Sequence, residues 1–189
     1  MNTTLNKIRK LNPCIDGWEK LIASLGKTKA DDDSVLIKTI LKSNGLSDAL
    51  WALSAVEDNE NTIILICADI ADSVAYIYNS KHPNDSLIND AIQAKRDYAN
   101  GKSTFSDYCD ALNKGINITT GLKGSDYDAS AACCDSTFSH INAQWIASRA
   151  CVAYAKYYCA LLNNSTSQDF DDAYKSHENK LSKILLKYL

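Results

Sequence analysis

Apolar side chains recur every three or four residues along most of the chain, and this spacing places them on one face of an α-helix. The most apolar run covers residues 62–78, where Thr62, Asp69 and Asp72 fall, with Asp58, on one narrow stripe of a helical wheel. The pattern predicts a central helix there. Asn-Pro, Asn-Gly and lone Gly residues interrupt the pattern elsewhere. They divide the remainder into shorter helices, predicted at about residues 5–11, 15–25, 35–43, 48–56, 85–99 and 104–115.

The longest uninterrupted pattern lies in the second half of the chain. Residues 126–162 contain neither Pro nor Gly, and Phe138, Trp145 and Val152 continue the apolar spacing. We therefore predict one long helix that forms the spine of the fold. Its solvent-facing side is predicted to consist of Asn142, Ile146, Arg149, Ala153 and Lys156. Residues 116–124, between the helix end predicted at Gly115 and this spine, are predicted to form a mobile loop.

The chain ends in a further amphipathic helix. Ser165 and Gln168 fit a capping box at its start. Its apolar stripe is Phe170, Tyr174, His177, Leu181, Ile184 and Tyr188. We expect this C-terminal helix to pack back on the core.

Composition supports a helical fold. The 189 residues include only 7 Gly and 2 Pro, fewer than the turns of a β-rich protein of this length require. No linker divides the sequence, and the length suits one core. The prediction is an all-α, single-domain bundle of residues 1–189 with about seven to nine helices.

Charge and cysteine usage narrow the setting. The net charge of −3 and the scattered Arg9, Arg96 and Arg149 argue against direct nucleic-acid binding. The polar N-terminus does not resemble a signal peptide, and no apolar stretch approaches the roughly 20 residues of a membrane span. Seven cysteines, an odd number set mostly in helical segments, are expected to be free thiols in a reducing cytosol. A cytoplasmic location without membrane contact is therefore predicted.

Metal-binding patterns are missing from the sequence. There is no C-x-x-C and no H-E-x-x-H, and the adjacent Cys133 and Cys134 with His140 do not have zinc-ligand spacing. The four glutamates supply no Glu-x-x-His pair for a di-iron bundle. We expect neither a metal nor an organic cofactor.

One carboxylate array resembles the Mg²⁺-binding pairs of all-helical nucleotide pyrophosphohydrolases. It consists of Glu57, Glu60, Asp69 and Asp72. In those enzymes two facing helices supply the pairs, whereas here all four residues lie on or just before one helix and cannot converge on one ion. A solvated acidic face is the interpretation we adopt.

Catalytic groups are equally sparse. His82 precedes a Pro, His140 lies in the predicted long helix, and His177 lies on an apolar stripe, where a hydrogen-bonded core histidine is expected. A Cys/His pair built from different helices stays open, so a small helical hydrolase is the enzyme alternative, but we predict that the chain is not an enzyme. The aromatic residues Trp51, Tyr76, Tyr78, Tyr154, Tyr157 and Tyr158 suit either a binding surface or the core, and Tyr78 and Tyr157 are expected to be exposed.

Four segments together resemble a known family. They are NPCIDGW at 12–18, ILKSNGLSDALWAL at 40–53, Cys67-Ala68, and YANG at 98–101. The chain is similar over about residues 9–101 to the immunity-protein-5-like family of bacteria and phages, whose members are Ala-rich helical proteins. The matching positions are those of turns, caps and core residues. Asp69 departs from the family, which usually has a basic residue there.

The resemblance implies a stoichiometric inhibitor that neutralises a toxin or effector by contacts of its helix surface. Such an inhibitor, a monomer or a homodimer, would present its acidic face to a basic cleft of a toxin or of a defence-complex subunit. The partner-binding residues are then Glu57, Asp58, Glu60, Asp69 and Asp72. Because the family also occurs in phages, an anti-CRISPR-like inhibitor of a bacterial defence complex is the alternative.

Overall fold

A computed structural model describes residues 1–134, 140–162 and 164–189, and in these the chain forms ten α-helices and a two-stranded sheet. The all-α prediction is confirmed, with more helices than the predicted seven to nine. In chain order the elements are β1 (Asn2–Thr4), α1 (Leu5–Lys10), α2 (Ile15–Ser24), β2 (Ser34–Leu36), α3 (Ile37–Asn44), α4 (Leu46–Ala52), a 3₁₀ turn (Leu53–Ala55), α5 (Glu60–Asn79), α6 (Leu87–Ala99), α7 (Phe105–Thr119), α8 (Gly124–Cys134), α9 (His140–Leu161) and α10 (Ser167–Leu186).

Helix α5 is the central helix, as its apolar pattern predicts. One side of it, including Ile66, Ile70 and Val74, lies in a large apolar cluster with residues of α1, α3, α4, α9 and α10. A second side, including Ala71 and Tyr78, lies in a smaller cluster with α6, α7 and α8. The third side carries the polar stripe and faces outward. Two cores therefore meet at α5, and its polar stripe and its N-terminal residues Glu60 and Asn61 remain accessible to a partner.

Contrary to the sequence prediction, α5 is long and apolar enough to cross a membrane by length and composition, the one such helix among the described residues. Within the structure, 61% of its most apolar window is buried in the protein. The central helix of a folded bundle has the same composition, because it too must be apolar on most sides.

The predicted long helix at 126–162 is wrong in its continuity. It is divided into α8 and α9, which pack against each other, and Phe138 lies outside the described residues. The carboxylate of Asp128 accepts hydrogen bonds from Arg149 Nη1 and Lys156 Nζ, each at 2.6 Å. In one straight helix those residues would be about 31 and 42 Å away along the axis.

The predicted solvent face of this segment is only partly correct. Lys156 is exposed and Arg149 is partly exposed, while the side chain of Asn142 lies outside the described residues. Ile146 and Ala153 are buried, whereas Trp145 and Ser148 are exposed. Arg149 and Lys156 point toward α8 because their charged groups meet Asp128, which is completely buried. A buried carboxylate thus attracts cationic residues to a helix contact that their polarity alone would assign to water.

Gly115 does not end a helix. Helix α7 continues to Thr119, so most of the predicted mobile loop at 116–124 is helical or belongs to the start of α8. A Cβ atom at Gly115 would collide with Cys134 Sγ of α8 and would lie 3.7 Å from the Cβ of Ala91 in α6. The glycine is therefore needed for close helix packing rather than for a turn.

Several local expectations are corrected near the termini. Val35, predicted as helical, pairs with Thr3 in the antiparallel β1–β2 sheet. Helix α4 begins at Leu46, directly after Gly45 and two residues before the start predicted at residue 48. At α10 the capping box consists of Thr166 and Asp169 in place of Ser165 and Gln168, one residue later than predicted. All seven cysteines lie in the described residues and none forms a disulfide, as expected.

The C-terminal helix α10 packs back on α9 and α5, as predicted. His177 of α10 is the expected core histidine, since it is 1% exposed and its Nε2 lies 3.1 Å from Ser73 Oγ. Its ring also stacks on Tyr154, with 4.8 Å between the ring centroids. Burial, and more weakly the nearby Lys180, lower the pKa of His177 to about 4. The neutral imidazole is therefore the form that the core accepts.

This lowered pKa predicts acid sensitivity. Between the ordinary histidine pKa and about 4 the unfolded chain binds more protons than the folded one, so stability decreases as the pH falls through that window. We expect the free energy of unfolding to drop by about 1 kcal/mol between roughly pH 7 and 5.5 because of this residue. Urea denaturation of wild type and His177→Phe at both pH values measures the difference. Ser73→Ala, which keeps the imidazole buried, should retain the wild-type dependence; an equal slope in His177→Phe would contradict the assignment.

Candidate functional site

The five predicted partner-binding carboxylates do not lie in one cluster. Glu57 and Asp58 precede α5, and the Glu57 carboxylate forms an exposed ion pair with Lys7 at 2.9 Å, a hydrogen bond that lowers the pKa of Glu57. Glu60 begins α5, about 14 Å along the axis from Asp69 and half a turn round the helix. Only Asp69 and Asp72 share a place on the outward stripe. Their role in binding stays a prediction.

Asp69 and Asp72 are held by a cation from the neighbouring helix. Arg96 Nη2 of α6 donates to Asp69 Oδ1 and to Asp72 Oδ2, both at 3.0 Å. The hydroxyl of Tyr188 donates to the other oxygen of Asp69 at 2.8 Å. Two carboxylates and one guanidinium leave one net negative charge here, so this part of the surface is less acidic than the sequence suggests. The Asp72 side chain is still 55% exposed.

Aromatic rings extend the same stripe. Tyr76, one turn beyond Asp72, is 41% exposed, and its ring meets that of Tyr157 from α9 edge-to-face at 5.7 Å. Tyr157 is partly exposed, whereas Tyr78, the other tyrosine expected at the surface, is buried and donates its hydroxyl hydrogen to Asp85 at 2.7 Å. We call the combined surface the α5 face. It consists of Asp69, Asp72, Tyr76, Arg96, Tyr157 and Tyr188.

The chemistry of the α5 face suits recognition. Burial, with neighbouring tyrosines, raises the pKa of Tyr76 to about 12, and burial with the bond to Asp69 does the same for Tyr188. Both hydroxyls therefore stay protonated, and the single O–H of Tyr188 is the one donated to Asp69. Nowhere in the described residues do three His, Cys, Asp or Glu side chains lie close enough together to hold a metal ion.

A second feature is a pocket of about 220 Å³ between α1, α2, α3 and α4. We call it the Trp pocket, and its lining includes Cys14, Gly17, Trp18, Asn44, Asp48 and Trp51. Asn44 Nδ2 donates to Asp48 Oδ2 and to the Gly17 carbonyl oxygen, both at 2.8 Å. A Cβ at Gly17 would lie only 2.9 Å from Asp48 Oδ2 and 3.0 Å from Cys14 Sγ. The glycine thus keeps the polar wall of the pocket open.

Comparison with protein-family models, with curated proteins and with solved structures gives no match for this chain. These comparisons therefore do not assign the chain to a family. The resemblance to immunity proteins stays a prediction based on the four segments in the sequence.

Two of those segments nevertheless meet in space. Residues 12–18 and 44–51 contribute most of the Trp pocket, although their sequence predicts turns, caps and core positions. The signal that could have indicated a site was the pairing of NPCIDGW with SNGLSDALW, each of which combines a Trp, an Asp and a Gly within a few residues. Helix periodicity shows which side of one helix is apolar, but it does not show that α2 and α4 line the same cavity. That arrangement depends on how α1, α2, α3 and α4 pack together.

Proposed function

We propose that this chain is a stoichiometric protein-binding inhibitor, immunity-like in action, that neutralises a toxin or effector through the α5 face. The observation that supports this proposal is the contact between exposed Tyr76 and partly exposed Tyr157, beside the carboxylate pair that Arg96 holds on the outward side of the central helix. Tyrosine supplies large contact area with few rotatable bonds and is enriched among residues that dominate binding energy.

The charges of the α5 face indicate the partner's chemistry. With Arg96 bound between them, Asp69 and Asp72 retain one net negative charge and a free edge on Asp72. A complementary partner surface has an apolar groove for the tyrosines and a lysine or arginine near Asp72. Such rim charges affect association rate and salt dependence more than affinity. The carboxylates of Glu57, Asp58 and Glu60 lie apart and would serve only a partner that extends to the N-terminal end of α5.

Tyr76→Ala is expected to weaken the complex at least about tenfold, because truncating an aromatic hot-spot residue costs about 2 kcal/mol or more and about 1.4 kcal/mol already corresponds to tenfold. The partner is first isolated on immobilised wild-type chain, then purified, and the affinity and stoichiometry are measured by calorimetry. Tyr127→Ala is the matched control, since Tyr127 is 37% exposed on α8, outside the α5 face.

Asp72→Lys separates the electrostatic part of the proposal. It should slow association with the same partner and reduce its salt dependence, while dissociation changes little. Equal affinities of wild type and Tyr76→Ala for a one-to-one partner would rule out the α5 face. If the chain chemically converts the partner instead of forming a stable complex with it, the proposal of a stoichiometric inhibitor is wrong.

A further inference from the structure

We propose that the Trp pocket binds a guanidinium group, presented by an arginine side chain or by a small guanidine. The pocket lies on α2 and α4 and shares no residue with the α5 face, so this inference goes beyond the proposed function and fails or stands separately from it.

The first argument is a carboxylate in the first turn of α4 that has no cationic side chain as its partner within the described part of the chain. Asp48 is half-buried at the pocket wall, and Asn44 orients it through the bond to Oδ2. Across residues 1–134, 140–162 and 164–189, no Lys or Arg forms an ion pair with Asp48, and no hydrogen bond reaches its Oδ1. By contrast, Asp128, the completely buried carboxylate, has two cations. A partly desolvated carboxylate with a free, oriented oxygen favours a cationic ligand.

The second argument is the aromatic lining. Trp18 from α2 and Trp51 from α4 are both partly buried in the same pocket wall. Indole is the ring that attracts cations most strongly, and the planar, weakly hydrated guanidinium stacks on it better than an ammonium does. Leu21 and Ile40 add apolar lining that suits the methylenes of an arginine side chain. The combination of two indoles, one carboxylate and apolar walls therefore matches an alkylguanidinium.

The third argument is space. The volume of about 220 Å³ corresponds to roughly seven water molecules at their liquid density. A guanidinium with two methylenes fits within it, and the bound Asn44 leaves Asp48 Oδ1 to accept its N–H groups. Gly17 preserves this room, since any side chain there would press on Asp48 and Cys14.

Tryptophan fluorescence provides the test. The chain has three tryptophans, and Trp145 lies elsewhere, under the guanidinium of Arg149. In a Trp145→Phe background only Trp18 and Trp51 emit, and titration with N-acetyl-arginine amide is expected to give a saturable change. N-acetyl-citrulline amide, which has the same shape but no charge, should bind at least about tenfold more weakly. An equal response to citrulline, or no saturation with arginine, overturns the proposal.

Variants locate the contact. Asp48→Asn should weaken arginine-amide binding at least about tenfold. Asp16→Asn, which removes an exposed charge two residues from Cys14 without lining the pocket, should change it less than about twofold. Equal losses in both variants would mean non-specific attraction and would overturn the proposal. If Asp48→Asn does not fold, the proposal is tested by the comparison of arginine amide with citrulline amide, because that comparison leaves the pocket residues unchanged.

The same titration distinguishes the two sources of the guanidinium. A capped Ala-Arg-Ala peptide that binds more tightly than the amide supports a protein side chain as the natural ligand. A peptide that binds more weakly supports a small guanidine.

Discussion

Replacing Arg149 and Lys156 together by methionine is expected to lower the free energy of unfolding by about 3–5 kcal/mol, the usual cost of leaving a buried charge without its partners. Asp128 is completely buried in α8, and these two side chains of α9 are its ion-pair partners. Methionine keeps most of the aliphatic stem of each residue, so the loss reports mainly the charges. Urea denaturation followed by far-ultraviolet circular dichroism measures it.

Two controls separate charge from packing. Lys175→Met removes a cation from the exposed pair with Glu178 and should change stability by less than about 1 kcal/mol. Adding Asp128→Asn to the Arg149→Met and Lys156→Met pair removes the stranded charge, so the triple variant should be more stable than the double one. A triple variant that is no more stable would show that packing of the stems, not the buried carboxylate, holds α8 against α9.

The contact of Arg149 and Lys156 with Asp128 could not be predicted from the sequence, whereas several helices could. Periodicity predicts α1, α2, α5 and α6 to within about two residues at most ends, because each helix buries one face and is closed by a local turn signal. The α8–α9 pair has no Pro or Gly between its members, so the pattern reads as one helix. The helical wheel places Arg149 and Lys156 on the side of the helix that the apolar stripes leave over, which predicts solvent there. Their partner, Asp128, is 21 and 28 residues away and becomes visible only in three dimensions.

The candidate site shows the same division. The helical wheel places Asp69 and Asp72 together on the outward stripe of α5, because that relation depends on one helix alone. Their neutralisation by Arg96 depends on how α6 packs, and nothing in the local pattern carries that information. Likewise, residues 12–18 and residues 44–51 can each be predicted as a turn followed by a helix. The cavity forms only because the fold brings α2 and α4 together.

Gly115 was misread for a related reason. A glycine in a helical pattern indicates either an end or a close approach, and only the neighbouring helix decides between them. In the structure that neighbour is Cys134, 1% exposed at the end of α8.

Gly115→Ala is therefore expected to destabilise the fold by about 2 kcal/mol, although alanine is the better helix former by about 1 kcal/mol. The added Cβ would collide with Cys134 Sγ, which is buried and can move only by displacing other core atoms. Gly121→Ala is the matched control, since a Cβ there meets nothing within 4 Å.

A double-variant cycle tests the cause, with urea denaturation as the measurement. Cys134→Ala removes the colliding sulfur, so Gly115→Ala should cost much less in that background, or even stabilise through its helix propensity. If Gly115→Ala instead stabilises the otherwise wild-type chain, α7 and α8 do not approach as closely as described. The smaller apolar cluster beside α5 would then be packed more loosely than the larger one, and the outward position of the α5 stripe would depend on the larger cluster alone.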